Sequence, residues 1–151
     1  MSILLGDKEY FKGIGQIAYE GPESDNPLAF RWYNANQIVA GKTMNEHFKF
    51  AMAYWHTLCG SGLDPFGEST HLYQWNDSGD VIQSMKDKAD AAFEFMTKLG
   101  LPYFCFHDLD VVDFGNNVVE NESRLAAWTD YVKPKMAASG TKLLWGTANL
   151  F

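Results

Sequence analysis

Residues 48–151 alternate apolar runs with amphipathic stretches, and this alternation limits the possible folds more than any other feature of the chain. "FKFAMAYWHTLC" (48–59) and "YFCFH" (103–107) are nearly unbroken apolar runs, as in strands covered on both faces. Between them, "DVIQSMKDKADAAFEFMTKLG" (80–100) spaces Ile82, Met85, Ala89, Ala92, Phe93, Met96 and Leu99 to share one helical face. Asp80 is placed to cap that helix, and Gly100, with Pro102 just beyond, to end it. "NESRLAAWTDYVKPKMAASG" (121–140) predicts a second helix, with Leu125, Trp128, Val132 and Met136 on one face. Pro134 inside it removes a hydrogen bond to the carbonyl of Asp130, so a kink is expected there. "KLLWGTANLF" (142–151) predicts a third strand. The order β-α-β-α-β implies an α/β fold with a parallel sheet and right-handed crossovers. In such sheets chemistry collects at the C-terminal ends of the strands.

The first 45 residues read as an extension wrapped onto the 46–151 unit. "YEGPESDNP" (19–27) is rich in turn formers and predicts a loop, and "LAFRWYNANQIVAG" (28–41) a short helix ending at Gly41. At 151 residues and 46% hydrophobic, the chain suits a single domain with a sizeable core. The net charge is −7 and the twelve Lys and Arg are scattered singly, which disfavours nucleic acid and anionic membranes as partners. No apolar run approaches the roughly 18 residues of a membrane span, and "MSILLGDKEYFKG" lacks the pattern of a signal peptide. A cytoplasmic location is expected, with Cys59 and Cys105 as two buried free thiols.

The three expected strand ends carry Trp55–His56, His107–Asp108–Asp110 and Trp145–Thr147. Strand side chains alternate between faces. If His107 points inward, so do Cys105 and Tyr103, while Phe104 and Phe106 face the helices; Ala51 and Ala53 would accompany Trp55, and Leu143 would accompany Trp145. The outcome would be a pocket walled by indoles, with an imidazole and a carboxylate, which suits a sugar or another small polyol. Each part also has a plainer structural reading: a satisfied histidine at a strand end, a polar turn, tryptophans in a core. "FCFHDLD" (104–110) admits a metal site, an acid/base pair or a polar turn. A metal site is disfavoured because consecutive strand positions point apart and the other strand ends bear indoles. For proton transfer, a histidine is the side chain suited to shuttling a proton, and Asp110 can fold back to one of the ring nitrogens of His107. Asp108 is expected to bond backbone instead, and His47, His56 and His71 to be structural or surface groups.

These residues also resemble the N-terminal part of the class II xylose isomerases. "NPLAFRWYNA", "FAMAYWHTLCGSGLDPFGEST", "FCFHDLD" and "LLWGTANLF" are similar to that family in order and spacing, over nearly the whole chain. The resemblance implies part of a (β/α)₈ (TIM) barrel, from a tetrameric enzyme that uses two divalent cations (Mg²⁺, Mn²⁺ or Co²⁺). That enzyme interconverts xylose and xylulose, and glucose and fructose more slowly. It implies that His107 is the ring-opening acid/base and Asp110 its orienting carboxylate. It implies that Trp55, Trp145, Thr147 and Phe151 line the sugar site, and that Phe66 of "DPFG" reaches into a neighbouring subunit's site. Two positions depart from the family pattern: Pro134 stands where relatives have a helix former, and His71 where they have Lys or Arg.

The family's metal ligands, and the lysine that assists at the sugar carbonyl, lie on later strands, and a (β/α)₈ barrel needs about 250 residues. The chain is therefore expected to be a truncated barrel: inactive alone, without metal ligands of its own, and self-associating as a homo-oligomer through its open edges, by domain swapping among other routes. A non-catalytic self-assembling piece and a small sugar-binding module are the alternative readings.

Overall fold

The computed structural model describes residues 5–76 and 78–148. In chain order the elements are β1 (Ile38–Val39), β2 (Lys42–Thr43), α1 (Met44–His47), β3 (Ala51–Ala53), α2 (Tyr54–Leu58) and a 3₁₀ turn at Gln74–Asn76. They continue with α3 (Val81–Leu99), β4 (Tyr103–His107), α4 (Asp108–Val111), α5 (Val118–Ser139) and β5 (Lys142–Thr147). Strands β3, β4 and β5 form one parallel sheet in that order. The fold is α/β, an open three-stranded parallel sheet with its long helices packed on one face, as expected for part of a (β/α)₈ barrel.

Helix α3 begins and ends where its residue types dictate. The Asp80 carboxylate accepts from the Ile82 amide at 3.2 Å, which satisfies an amide with no partner inside the helix. Gly100 takes the left-handed conformation at φ 68°, and the amide of Leu101 returns to the Met96 carbonyl at 2.9 Å, closing the helix so that Pro102 can lead into β4. Met85, Ala89, Ala92, Phe93 and Met96 are buried on its inner face. They meet Phe104 of β4, whose ring lies 5.9 Å from Phe93 and 6.0 Å from Tyr54. Phe106, two residues on, packs edge-on against Trp128 of α5 at 4.7 Å. The expectation that Phe104 and Phe106 face the helices holds.

Helix α5 starts three residues earlier than its periodicity predicts, because Asn117 caps it by accepting from the Glu120 amide at 3.0 Å. It remains one helix across Pro134, which lies on an exposed stretch where water can satisfy the Asp130 carbonyl.

Three expectations are corrected. Residues 28–41 form no helix; Gly41 belongs to the two-residue turn of the β1–β2 hairpin, with Ala40 at φ 49° and Gly41 at φ 80°, the pair of positive angles that such a turn requires. Residues 48–59 are not one strand: β3 spans Ala51–Ala53 and the chain then turns into α2, so Trp55 lies in a helical turn just past the strand end. Finally, Leu143 and Trp145 do not share a face. Leu143 pairs with Phe104 and Trp145 with Cys105, so Leu144 is an extra residue in the ladder and switches the alternation.

The extension is fastened by charge. Asp87, Asp90, Glu94 and Lys98 form a buried polar stripe along α3. Glu94 accepts from the amides of Tyr10 (2.7 Å) and Phe11 (3.0 Å) and pairs with Lys98 at 2.6 Å. Lys98 also reaches Glu9 at 3.1 Å and the Phe11 carbonyl at 2.6 Å. Lys135 of α5 pairs with Asp90 at 2.6 Å and bonds the Leu5 carbonyl. Burial pushes the Glu94 carboxyl up, but the Lys98 ammonium and the two amides outweigh it and hold Glu94 below its ordinary value.

Candidate functional site

The sheet face away from the helices is laid out in rows by the parallel register. Ala53, Cys105 and Trp145 form one row, and His107 and Thr147 the next. Ala53 and Cys105 are small, which leaves space over the sheet for large rings. The ring of Trp55 lies 4.8 Å from that of His107 and 5.4 Å from that of Trp145, and His107 and Trp145 meet edge-on at 5.8 Å. The structure thus brings Trp55, His107 and Trp145 into one cluster, with Thr147 in register beside it.

Asp110 is delivered by the single turn α4. Its Oδ2 accepts from the main-chain amide of His107 at 2.7 Å and lies 3.0 Å from His107 Nδ1. An ionised carboxylate can only accept, so Nδ1 carries the hydrogen and Nε2 is the nitrogen left to exchange a proton with a ligand. The His107 side chain is 34% exposed and that of Asp110 13%, so the imidazole is open to the surface while the carboxylate is sheltered. Asp108 accepts from the Leu109 amide at 2.8 Å, a backbone role as expected.

Asp110 is tied from behind as well. Its carbonyl accepts from Lys88 Nζ at 2.9 Å and from Cys59 Sγ at 3.4 Å. Sequence reasoning missed both contacts. Their only signal was a lysine on the partly apolar face of α3 and a thiol after "YWHT". Both cysteines are free; Cys105 is buried and Cys59 half-buried.

The remaining residues singled out in the sequence lie away from the cluster or outside the described residues. Phe66 is 96% exposed at a loop tip, held by the Asp64 carboxylate accepting its amide at 2.8 Å, and makes no ring contact with the cluster. Phe151 lies outside the described residues. His47, His56 and His71 are exposed; His47 bonds the Val39 carbonyl at 2.8 Å and His71 packs on Tyr73 at 4.3 Å.

The expected pocket is an open face in this chain. Two cavities, of about 450 and 440 Å³, lie elsewhere. One sits at the N-terminal ends of β3 and β4 among Tyr19, Tyr33 and Pro102, the other between α3 and the 61–72 loop, and none of the clustered rings lines either. Among the described residues, no group of three or more His, Cys, Asp or Glu side chains comes together to hold a metal ion. His107 and Asp110 are committed to each other, so by themselves they do not fit a divalent cation site. No helix among the described residues is long and apolar enough to cross a membrane.

No protein-family model matches the chain. It is 53% identical over 150 residues to Xylose isomerase 2 of Xanthomonas campestris pv. campestris (strain 8004), a match covering 99% of the chain and 34% of that relative. Xylose isomerase 1 of the same strain is 52% identical with the same coverage. Xylose isomerase 1 of Xanthomonas axonopodis pv. citri (strain 306) is 52% identical over 147 residues, 97% of the chain and 33% of the relative. The chain therefore spans about a third of the length of the curated relatives it matches.

Proposed function

We propose, taking the chain as a segment of a xylose isomerase, that it supplies the proton-handling corner of an aldose–ketose isomerase site. The observation that carries this reading is the Asp110 carboxylate set against both the Nδ1 and the main-chain amide of His107, beneath the indoles of Trp55 and Trp145. His107 Nε2 would take a proton from the anomeric hydroxyl of a cyclic aldose such as xylose and return one to the ring oxygen, opening the ring. Asp110 would stabilise the imidazolium formed on the way. Trp55 and Trp145 would lie against the apolar face of the sugar, with Thr147 contributing a hydroxyl beside them. Two divalent cations, held by residues beyond this segment, would supply Lewis acidity at the sugar oxygens. The described residues do not fit such a site, and the roles above do not depend on it.

The test is a chimera in which these residues replace the matching third of the Xanthomonas campestris xylose isomerase 2. Conversion of xylose to xylulose by that chimera with Mg²⁺ supports the reading, and a folded chimera without turnover contradicts it. The isolated chain should show no isomerase activity.

For the isolated polypeptide, a second reading follows from its exposed face. All six residues of β5 are exposed, and β3 and β5 are both open edges. Edges of this kind pair with other chains. The partner proposed is a second copy, giving a homo-oligomer in which the exposed Phe66 would enter the neighbouring copy. A monodisperse monomer in sedimentation at micromolar concentration contradicts it. A cytoplasmic location belongs to the same proposal.

A further inference from the structure

The geometry of the His107–Asp110 pair depends on a four-residue turn, and one helical turn is too short to hold itself. What fastens α4 comes from other elements. Lys88 Nζ and Cys59 Sγ both donate to the Asp110 carbonyl, at 2.9 and 3.4 Å. That carbonyl lies in the last turn of α4, where helix carbonyls lack internal donors and a positive charge is favoured. Lys88 is half-buried and forms no ion pair among the described residues; its Nζ has the Asp110 peptide oxygen at 2.9 Å and, more distantly, Cys59 Sγ at 4.0 Å. Burial pushes the Cys59 thiol up, against the opposing charge of Lys88, which keeps Cys59 a neutral S–H donor to the same oxygen.

Helix α3 is a firm base for this contact. Its inner face is in the core and its polar stripe is locked under the extension, so the Lys88 stem starts from a fixed point. A charged donor on a carbonyl is among the stronger hydrogen bonds. From these contacts we infer that Lys88 is a positioning residue: it fixes the Asp110 peptide so that the carboxylate spans the His107 amide and Nδ1, and thereby selects the ring tautomer with Nε2 bare. Its meaning for catalysis rests on the acid/base reading above, but the contact and its effect on the tautomer do not.

The test uses the whole chain labelled with ¹⁵N-histidine, with the tautomer read by NMR at a pH where His107 is neutral. In the unmodified chain the Nδ1–H form should dominate. Lys88→Met should move at least half of the His107 population to the Nε2–H form, and Lys88→Arg should restore the original pattern. Lys133→Met, at an exposed lysine of α5, should change nothing. A folded Lys88→Met chain with the original tautomer overturns the inference. If circular dichroism shows that chain unfolded, Lys88→Gln takes its place with the same two outcomes. Asp110→Ala, which removes the acceptor, separates the two readings. Loss of the tautomer in Asp110→Ala but not in the Lys88 variant removes the positioning role alone, whereas no change in Asp110→Ala removes the pair on which the acid/base reading stands.

Discussion

On the helix side of the sheet, Phe104 is fully buried between Phe93 and Tyr54, and Phe106 packs on Trp128. On the opposite side, Trp145 is 41% exposed and shares the surface with Trp55 and His107. Both faces belong to the same strands and both carry large rings, yet over β4 one is covered by the chain's own helices and the other is not. The covered face can be explained by folding alone. The open face holds the ordered carboxylate–imidazole pair, and its rings touch one another with no layer above them among the described residues. That difference separates what this polypeptide buries by itself from what it leaves exposed.

The comparison predicts very different costs for equal truncations. Phe104→Ala should lower unfolding stability by about 3–5 kcal/mol in urea titrations, while Trp145→Ala should cost about 1 kcal/mol or less. Equal losses would mean that the open face is also core. The clasp beneath the extension should behave like the covered face. Lys98→Met strands the buried Glu94 carboxylate and should cost about 3 kcal/mol. Because Glu94 is held below its ordinary value in the folded chain, its contribution is complete above the ordinary glutamate range. It is lost as pH falls toward the folded-state value. Urea midpoints at pH 7 and pH 4 should show that loss, and Glu94→Gln should flatten it.

Gly146 probes the boundary between the faces. A Cβ there would lie 2.8 Å from Cζ of Phe106, so Gly146→Ala should cost about 1–3 kcal/mol although its strand is exposed. The smallest effect is expected at Tyr54, whose buried hydroxyl has no hydrogen-bond partner among the described residues. Tyr54→Phe should leave stability unchanged or raise it by about 1 kcal/mol, as thermal unfolding would show.

Much of this was legible from residue types. The apolar spacing of α3, its Asp80 cap and its Gly100 end are local signals and fold as local signals predict. The reach from Asp110 to His107 spans three residues and was equally legible. The errors came where local signals were ambiguous or the deciding partner was distant. Gly41 marks a turn as readily as a helix end, and only strand pairing decides between them. The extra residue Leu144 appears only once β5 is aligned with β4, and it moved Leu143 to the other face. Lys88 and Cys59 approach Asp110 from 22 and 51 residues away, a distance that no periodicity encodes. The burial of Asp87, Asp90, Glu94 and Lys98 was not legible, because their cover, residues 5–11, lies some eighty positions upstream.

The function proposed for the open face is a sugar site at which His107 would move the proton. The most direct measurement is turnover of cyclic xylose by the chimera described above, with and without His107→Gln. A general acid/base in this position contributes about 10²-fold or more to the rate. The account predicts a loss of at least that size with the fold intact, and a His107→Gln chimera that turns over at the unmodified rate would contradict it.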